Sequence, residues 1–284
     1  MGTHSINVLS ICAGIGGIDL GLHRAIEGAR TVCYVEREAS ALAILATQIK
    51  NGALDDAPIW SDAVTFDGKP WRGAVDIIAA GFPCQSISTA GKRQGIKTHT
   101  KSGLWFQVKR IIEEIQPQQV FLENVGNIVA KGLDQVLSDL AKIGYDAEWL
   151  CCYATDAGIN QARLRWFCLA YCSKERKNAA NAEHGSSVLP IKLRRAAEQC
   201  PGATNHTLLK PALHATEAAT GEFNPDTREI EWPEFVDKSD AIRAGLRVSD
   251  WLDRASALGN AVVPDQAAYA YRILSERIRE HEND

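Results

Sequence analysis

A short apolar run that ends in a turn is the feature that most constrains the fold of this 284-residue chain. Residues 75–80 have the sequence Val-Asp-Ile-Ile-Ala-Ala and lead into Gly-Phe-Pro-Cys-Gln at 81–85. Short runs rich in isoleucine and valine, bounded by glycine and proline, are typical of buried parallel strands. Ligands of such sheets bind beyond the carboxyl ends of the strands. The sequence therefore predicts Cys84 at the ligand-binding edge of an α/β sheet, with a buried structural thiol as the alternative.

A second candidate residue, Glu123, follows another apolar run at 120–122. If the two strands are neighbours in a parallel sheet, the Cys84 thiol and the Glu123 carboxyl group project into one crevice. That arrangement is expected of a nucleophile and a general acid. A carboxylate that caps a helix is the alternative for Glu123 taken alone. The two residues together favour an active site.

The amino-terminal segment predicts a binding turn for a nucleoside-type ligand. Residues 6–11 form a short apolar run, followed by glycines at 14, 16 and 17 and by a helix that begins near Ile18. Glycines allow the backbone to approach a ligand closely at the amino end of a helix. Their spacing does not match the dinucleotide-binding fingerprint, so this motif alone is a weak signal.

An acidic residue, Glu36, ends the next predicted strand at 31–35. It lies about twenty positions after the glycines, where α/β folds bind ribose hydroxyls with a carboxylate. A solvated surface glutamate is the alternative. We favour the ligand-binding interpretation because Glu36 directly follows an apolar strand.

These motifs and several others resemble, in order, those of the DNA (cytosine-5) methyltransferases that use S-adenosylmethionine. The matching segments cover the chain up to about residue 170 and again from about residue 255. Jointly they are highly specific, although none would be so alone. They are residues 13–17, Glu36, 61–63, 81–85 with Ser88, Ala90, Gly91 and Gly95 downstream, 123–125, 161–165 and 258–264.

The resemblance implies four catalytic residues. Cys84 would add to C6 of cytosine, and Glu123 would donate a proton or hydrogen bond to N3. Arg165 would place a cation near O2, and Arg163 would position Arg165, the base or a phosphate. Stabilising the charge that develops in the transition state lowers the barrier. Donation by a carboxyl group at neutral pH requires a raised pKa, which burial would supply.

S-adenosylmethionine is the cofactor that the resemblance implies. Glu36 would bind its ribose and Asp62 its adenine. Cys12 stands where the family usually has a phenylalanine, so the aromatic wall of the cofactor pocket is expected to be missing. The residues expected at the cofactor are Cys12, Ala13, Gly14, Ile15, Gly17, Glu36, Arg37, Asp62, Ala63, Gly81, Pro83, Leu104, Asn260 and Val262.

Duplex DNA is the expected substrate, and its target base must leave the helix to be reached. The polar segment 86–103 contains glycines and basic residues, which predicts a loop that closes over DNA and contacts phosphates. An ordinary solvated loop is the alternative. The residues expected to contact DNA are Gln85, Ser88, Lys92, Arg93, Gln161, Lys192, Arg194 and Arg195.

The resemblance implies an α/β fold with a doubly wound, mostly parallel sheet (the class I methyltransferase, Rossmann-like fold) and a small inserted target-recognition segment. Residues 1–172 with 246–284 are predicted to form the catalytic domain, and 173–245 the recognition region. The net charge is −4, yet residues 174–210 hold seven Lys or Arg against three Glu. Such a local basic surplus suits phosphate contact. Weak hydrophobic periodicity leaves a partly disordered linker as the alternative.

Composition bounds the remaining expectations. The 45% hydrophobic content suits one large core with a modest appendage. Eight cysteines without a Cys-x-x-Cys pair argue against a zinc site, and a free Cys84 requires a reducing compartment. We expect no membrane-spanning helix and no secretory signal. We expect a cytoplasmic, nucleoid-associated monomer of bacterial or phage origin that binds no metal.

Two other functions remain compatible with the sequence. The same chemistry could act on cytosine in RNA, as it does in some members of the wider family. The chain could also be a binding module that keeps the fold without turnover. The presence of Cys84, Glu123, Arg163 and Arg165 disfavours the second alternative.

Overall fold

Seven strands form one sheet in which the first five strands of the chain run parallel. The computed structural model describes residues 5–83, 103–172, 222–224, 229–231 and 261–283. In spatial order the sheet is β3-β2-β1-β4-β5-β7-β6, and β7 is antiparallel to both of its neighbours. The strands are β1 (Ile6–Ile11), β2 (Ala29–Val35), β3 (Ile59–Trp60), β4 (Ile77–Gly81), β5 (Gln119–Val125), β6 (Asp146–Tyr153) and β7 (Leu164–Tyr171).

Helices cover both faces of this sheet, which confirms the predicted doubly wound α/β architecture. α1 and α6 pack on one face, and α3 and α5 pack on the other. A hydrophobic core lies on each face of the sheet, and alternate residues of β4 contribute to the two cores. Ile77 and Ala79 face α1 and α6, whereas Ile78 and Ala80 face α3 and α5. The helices are α1 (Gly17–Ala25), α2 (Ala39–Lys50), α3 (Gly103–Ile115), α4 (Ile128–Lys131), α5 (Leu133–Lys142) and α6 (Pro264–Asn283).

Two strand limits differ from the sequence-based expectation. The strand predicted at 75–80 begins at Ile77. The carboxylate of Asp76, directly before it, accepts a hydrogen bond of 2.8 Å from the backbone N–H of Asn7. Glu123 was expected to follow its strand, but it lies inside β5, which continues to Val125. Pairing with the antiparallel strand β7 extends β5 past the apolar run.

Part of the predicted recognition region is described as a small antiparallel sheet. It contains β8 (Glu222–Asn224) and β9 (Glu229–Glu231). The rest of residues 173–245 lies outside the described residues, so the predicted domain boundaries remain a prediction. Among the described helices, none is long and apolar enough to cross a membrane.

The amino-terminal helix α1 approaches α6 so closely that only glycine fits on its facing side. A Cβ atom on Gly21 would lie 2.6 Å from the Cβ of Ala267 and 2.8 Å from the carbonyl oxygen of Pro264. One turn earlier, Gly17 meets the carbonyl of Val262 in the same way. These two glycines therefore seat the carboxyl-terminal segment beside the glycine turn that ends β1.

We expect Gly21→Ala to lower the free energy of unfolding by about 1–3 kcal/mol, because the added methyl group overpacks this contact. The better helix propensity of alanine, worth up to about 1 kcal/mol, offsets part of that loss. Urea unfolding followed by circular dichroism measures the difference. A variant as stable as the parent would show that the packing cost does not exceed the gain in helix propensity, and that α6 moves away from α1 easily.

Candidate functional site

Glu123 lies where β4 and β5 run side by side towards their carboxyl ends. It pairs with Gly81 of β4 on one side and with Phe167 of β7 on the other. A Cβ atom on Gly81 would lie 3.4 Å from Oε2 of Glu123. The carboxyl group is buried, and the residue is 7% exposed. The structure thus places this carboxyl group beside the end of the strand that leads to Cys84.

Arg165 forms an ion pair with Glu123, with 2.9 Å between Nε and Oε1. Arg165 lies two residues before Phe167 in β7, so its side chain is on the same face of the sheet as Glu123. Burial raises the pKa of Glu123 to about 7, although Arg165 and Arg163 oppose the shift. A carboxyl group with this pKa can hold and release a proton near neutrality.

Arg163 immediately precedes β7 and links the site to the carboxyl-terminal segment. Its Nη2 donates a hydrogen bond to the carbonyl oxygen of Ala261. Burial and the neighbouring Arg165 lower the pKa of Arg163. Its Nε is buried and has no hydrogen-bond partner among the described residues. Arg163 therefore lies beside the Glu123–Arg165 pair and is held by the chain that precedes α6.

Asn124 holds the segment that leads to Cys84. Its Nδ2 donates a hydrogen bond of 2.8 Å to the carbonyl oxygen of Phe82, and its Oδ1 accepts one from the N–H of Val125. The Phe82 ring packs against Trp105 with 5.1 Å between centroids. The backbone is thus anchored two residues before Cys84, which itself lies outside the described residues.

The glycine turn after β1 is organised by the carboxylate of Glu36. Its Oε2 accepts a hydrogen bond of 2.7 Å from the N–H of Gly14, and its Oε1 accepts bonds from the N–H groups of Arg37 and Glu38 at 2.8 and 2.7 Å. A carboxylate offers about four acceptor positions, so one remains for a ligand hydroxyl. Burial raises the pKa of Glu36.

Gly14 leaves room for a ligand at this turn. Its φ angle is +58°, and a Cβ atom there would meet nothing within 4 Å. The Cys12 backbone is also left-handed, with φ +54°. Its carbonyl oxygen would lie 3.7 Å from a Cβ on Gly81, so the turn and the end of β4 are adjacent. The backbone and Glu36 therefore fit a ribose-bearing ligand.

Asp62 lies two residues after β3, beside the turn after β2. Its Oδ1 accepts a hydrogen bond of 2.9 Å from the N–H of Val64, and its Oδ2 lies 3.7 Å from Nη1 of Arg37. The Arg110 guanidinium donates to the carbonyl oxygen of Ala63 at 2.8 Å and fixes this loop on α3. The structure thus places Asp62 and Arg37 next to each other, near Glu36.

The other predicted residues that the structure describes lie around the Glu123–Arg165 pair or around the glycine turn that Glu36 organises. Ala13 donates its N–H to the carbonyl oxygen of Val35, and the Ile15 carbonyl accepts a bond from Gln48. Pro83 and Gln161 are exposed at the ends of the segments that precede Cys84 and Arg163. Leu104 is in the first turn of α3, and the Val262 carbonyl contacts Gly17.

Several predicted site residues lie outside the described residues, and their roles remain predictions. One is Cys84, the predicted nucleophile, and another is Asn260, predicted at the cofactor. The others were predicted to contact DNA: Gln85, Ser88, Lys92, Arg93, Lys192, Arg194 and Arg195.

Sequence reasoning did not assign a role to three buried polar residues near the site. Asn124 belongs to a recognised motif, but its tether to Phe82 was not foreseen. Asp19 is fully buried and accepts hydrogen bonds of 2.9 Å from the hydroxyls of Ser10 and Thr31, which fastens α1 to β1 and β2. Gln266 had no sequence signal because its partners lie more than a hundred residues away.

A metal centre is not evident in the described ranges. No group of three or more histidine, cysteine, aspartate or glutamate residues among them is arranged to hold a metal ion.

Comparison with known proteins identifies related sequences. The model of the family described as C-5 cytosine-specific DNA methylase matches residues 6–233. The chain is 39% identical over 167 residues to the Type II methyltransferase M.CviJI of Paramecium bursaria Chlorella virus IL3A, covering 58% of this chain and 43% of that protein. It is 33% identical over 165 residues to the Type II methyltransferase M.NgoMIV of Neisseria gonorrhoeae, covering 55% and 49%.

These matches thus span less than half of each curated relative. Among solved structures, the Dnmt2 methyltransferase of S. pombe aligns with a TM-score of 0.48 at 21% identity. That alignment covers 59% of this chain and 51% of the other.

Proposed function

Because the chain belongs to the family of C-5 cytosine-specific DNA methylases, we propose that it transfers a methyl group from S-adenosylmethionine to C5 of a flipped-out cytosine in DNA. One observation carries most weight. The buried Glu123–Arg165 pair lies beside the end of β4, and Cys84 follows that strand three residues later. A proton donor, a cation and a nucleophile therefore come from adjacent segments.

The proposed reaction begins with the thiolate of Cys84. C5 of cytosine is a poor nucleophile, so the sulfur first forms a bond with C6 and displaces the electron pair of the C5–C6 double bond towards N3 and O2. Glu123 protonates or hydrogen-bonds N3, and Arg165 stabilises the negative charge at O2. After C5 has gained the methyl group, a solvent water removes the proton from C5, and the electron pair of that C–H bond restores the C5–C6 double bond. The bond between C6 and sulfur then breaks, the Cys84 thiolate leaves, and N3 returns its proton to Glu123.

The cofactor, when bound, supplies an electrophilic methyl group on a sulfonium centre. Glu36 is proposed to bind its ribose through its remaining acceptor position, and Asp62 is proposed to bind its adenine. Gly14 would leave space for the ligand, since a Cβ there meets nothing within 4 Å. The cysteine at position 12 provides a smaller wall than the aromatic residue expected in the family, and burial raises the pKa of its thiol.

We expect Glu36→Ala to weaken S-adenosylmethionine binding by about 1–3 kcal/mol, because the ribose loses a hydrogen-bonded partner and the turn at Gly14 loses its anchor. Isothermal titration calorimetry measures the dissociation constant. Glu38→Ala is the matched control, since it removes an exposed neighbouring carboxylate. Equal affinities for Glu36→Ala and the parent would exclude Glu36 from the cofactor site.

DNA binding is proposed to involve the exposed Gln161 together with the basic residues at 92–93 and 192–195. Gln161 lies on a tight backbone turn, accepting a hydrogen bond of 2.9 Å from the N–H of Arg163. The base must be flipped out because the reaction requires access to both faces of the C5–C6 bond. The region 173–245 is proposed to select the target sequence. The protein would then act in the cytoplasm, at the nucleoid.

Methyl transfer to duplex DNA and to tRNA, measured side by side with radiolabelled cofactor, tests the proposed function. We expect incorporation into DNA, and bisulfite sequencing then gives the methylated site. Incorporation into tRNA alone would support the RNA-modifying alternative. Binding of DNA without any incorporation would support a non-catalytic module.

A further inference from the structure

Gln266, in the first turn of α6, is buried against the entrance of the strand that carries Arg165. Its side chain is fully buried. Its Nε2 donates hydrogen bonds of 2.9 Å to the carbonyl oxygen of Cys152 and 2.9 Å to that of Arg163. Cys152 lies near the end of β6, and Arg163 immediately precedes β7. The side-chain amide group of Gln266 therefore bridges the end of β6 and the residue that precedes β7.

This bridge acts on the backbone next to the catalytic pair. Cys152 pairs with Arg165 in the register of β6 and β7. Fixing the carbonyl groups of Cys152 and Arg163 therefore fixes both strands at the position of Arg165. Arg165 in turn places its Nε 2.9 Å from Oε1 of Glu123.

The same segment also holds the side chain of Arg163 and contacts the glycine turn. The Ala261 carbonyl accepts a hydrogen bond from Arg163, and the Val262 carbonyl meets Gly17. Residues 261–266 thus contact both the side of the site predicted for the cofactor and the side predicted for the base. An apolar residue at position 266 would fill the space but would leave both carbonyl groups without this donor.

We propose that Gln266 is a positioning residue, which holds Arg165 against Glu123 by bridging the carbonyl groups of Cys152 and Arg163. The proposal rests on the proposed function for its kinetic consequence, but its structural consequence can be measured without turnover. A small displacement of a catalytic group is enough to lower the rate, since about 1 Å can cost about 100-fold.

The test compares Gln266→Met with Tyr271→Phe. Methionine matches glutamine in length and lacks hydrogen-bond donors. Tyr271→Phe is the matched control, because it removes another side-chain hydrogen bond of α6. The Tyr271 hydroxyl donates this partly buried bond of 2.7 Å to Oε1 of Gln119, at the opposite end of β5 from the catalytic pair. Urea unfolding establishes that both variants are folded. Gln266→Asn, which is one methylene shorter and cannot span both carbonyl groups, replaces Gln266→Met if the latter does not fold.

Two readouts separate positioning from general stability. We expect Gln266→Met to lower kcat by about 10- to 100-fold with little change in KM for the cofactor, whereas Tyr271→Phe keeps both values. The second readout is the titration of Glu123, followed by NMR of 13C-labelled glutamate carboxyl groups and assigned with Glu123→Gln. The charged groups that face Glu123 are Arg165 and Arg163. Loosening Arg165 removes a favourable charge and raises the pKa of Glu123 further.

A folded Gln266→Met variant that keeps the parental kcat and the parental Glu123 titration would overturn the proposal. Equal effects of Gln266→Met and Tyr271→Phe would also overturn it, since they would indicate a general loss of helix packing. If the parent methylates no nucleic acid, the proposed function fails. The NMR comparison then still decides whether Gln266 holds the Glu123–Arg165 pair.

Discussion

Cys84→Ser is expected to reduce methyl transfer to the background of the assay. A serine hydroxyl is far less acidic than a thiol and is not ionised at neutral pH, so the bond to C6 does not form. Incubation with duplex DNA that contains 5-fluorocytosine measures this step directly. Fluorine at C5 cannot leave as a cation, so the covalent adduct persists and migrates separately on a denaturing gel.

The matched control for that experiment is Cys172→Ser, which changes a half-buried thiol at the far end of β7 from Arg165. We expect this variant to form the adduct as the parent does. An adduct formed by Cys84→Ser, or methylation at the parental rate, would show that another group is the nucleophile. DNA binding by Cys84→Ser should remain close to that of the parent.

Glu123→Gln is expected to lower the single-turnover rate of methyl transfer by about 10²–10⁴-fold, the usual contribution of a general acid. Glutamine keeps the size of the side chain but has no transferable proton. Because burial raises the pKa of Glu123 to about 7, the protonated form is the major species below that pH and is lost above it. In a plot of the parental single-turnover rate against pH, the rate should therefore fall as the pH rises through about 7.

This fall of the rate with pH should be absent from Glu123→Gln and present in Glu38→Gln, which changes an exposed carboxyl group. Rapid-quench measurements at saturating DNA and cofactor across the neutral range separate the variants. A parental rate and pH profile in Glu123→Gln would mean that the carboxyl group only supports Arg165.

The parts of the fold that the sequence predicted are those with continuous apolar runs. β1 occupies Ile6–Ile11, the same residues as the apolar run that predicted it. β6 was not predicted, because its residue types do not follow its alternating burial: the acidic Glu148 is buried, whereas the neighbouring Trp149 is partly exposed. The insertion of β7 between β5 and β6 depends on long-range pairing, which no local pattern encodes.

In the candidate site, too, some features could be predicted from the sequence and others could not. Motif resemblance brought Glu123 and Arg165 into one site, and the structure places them 2.9 Å apart. The positions of their supports could not be predicted. Asn124 contacts a carbonyl group 42 residues away, and Gln266 contacts carbonyl groups 103 and 114 residues away. Such contacts follow from how the elements pack, whereas motifs record only the residue types at the site.

The most direct test of the central claim is the nucleoside content of DNA from cells that express the protein. Enzymatic digestion followed by chromatography and mass spectrometry separates 5-methyl-2′-deoxycytidine from N4-methyl-2′-deoxycytidine. We expect the 5-methyl nucleoside in DNA from cells that express the parent and none above background with Cys84→Ser. Parental DNA without 5-methyl-2′-deoxycytidine, or with only the N4-methyl isomer, would contradict methylation at C5 by this protein.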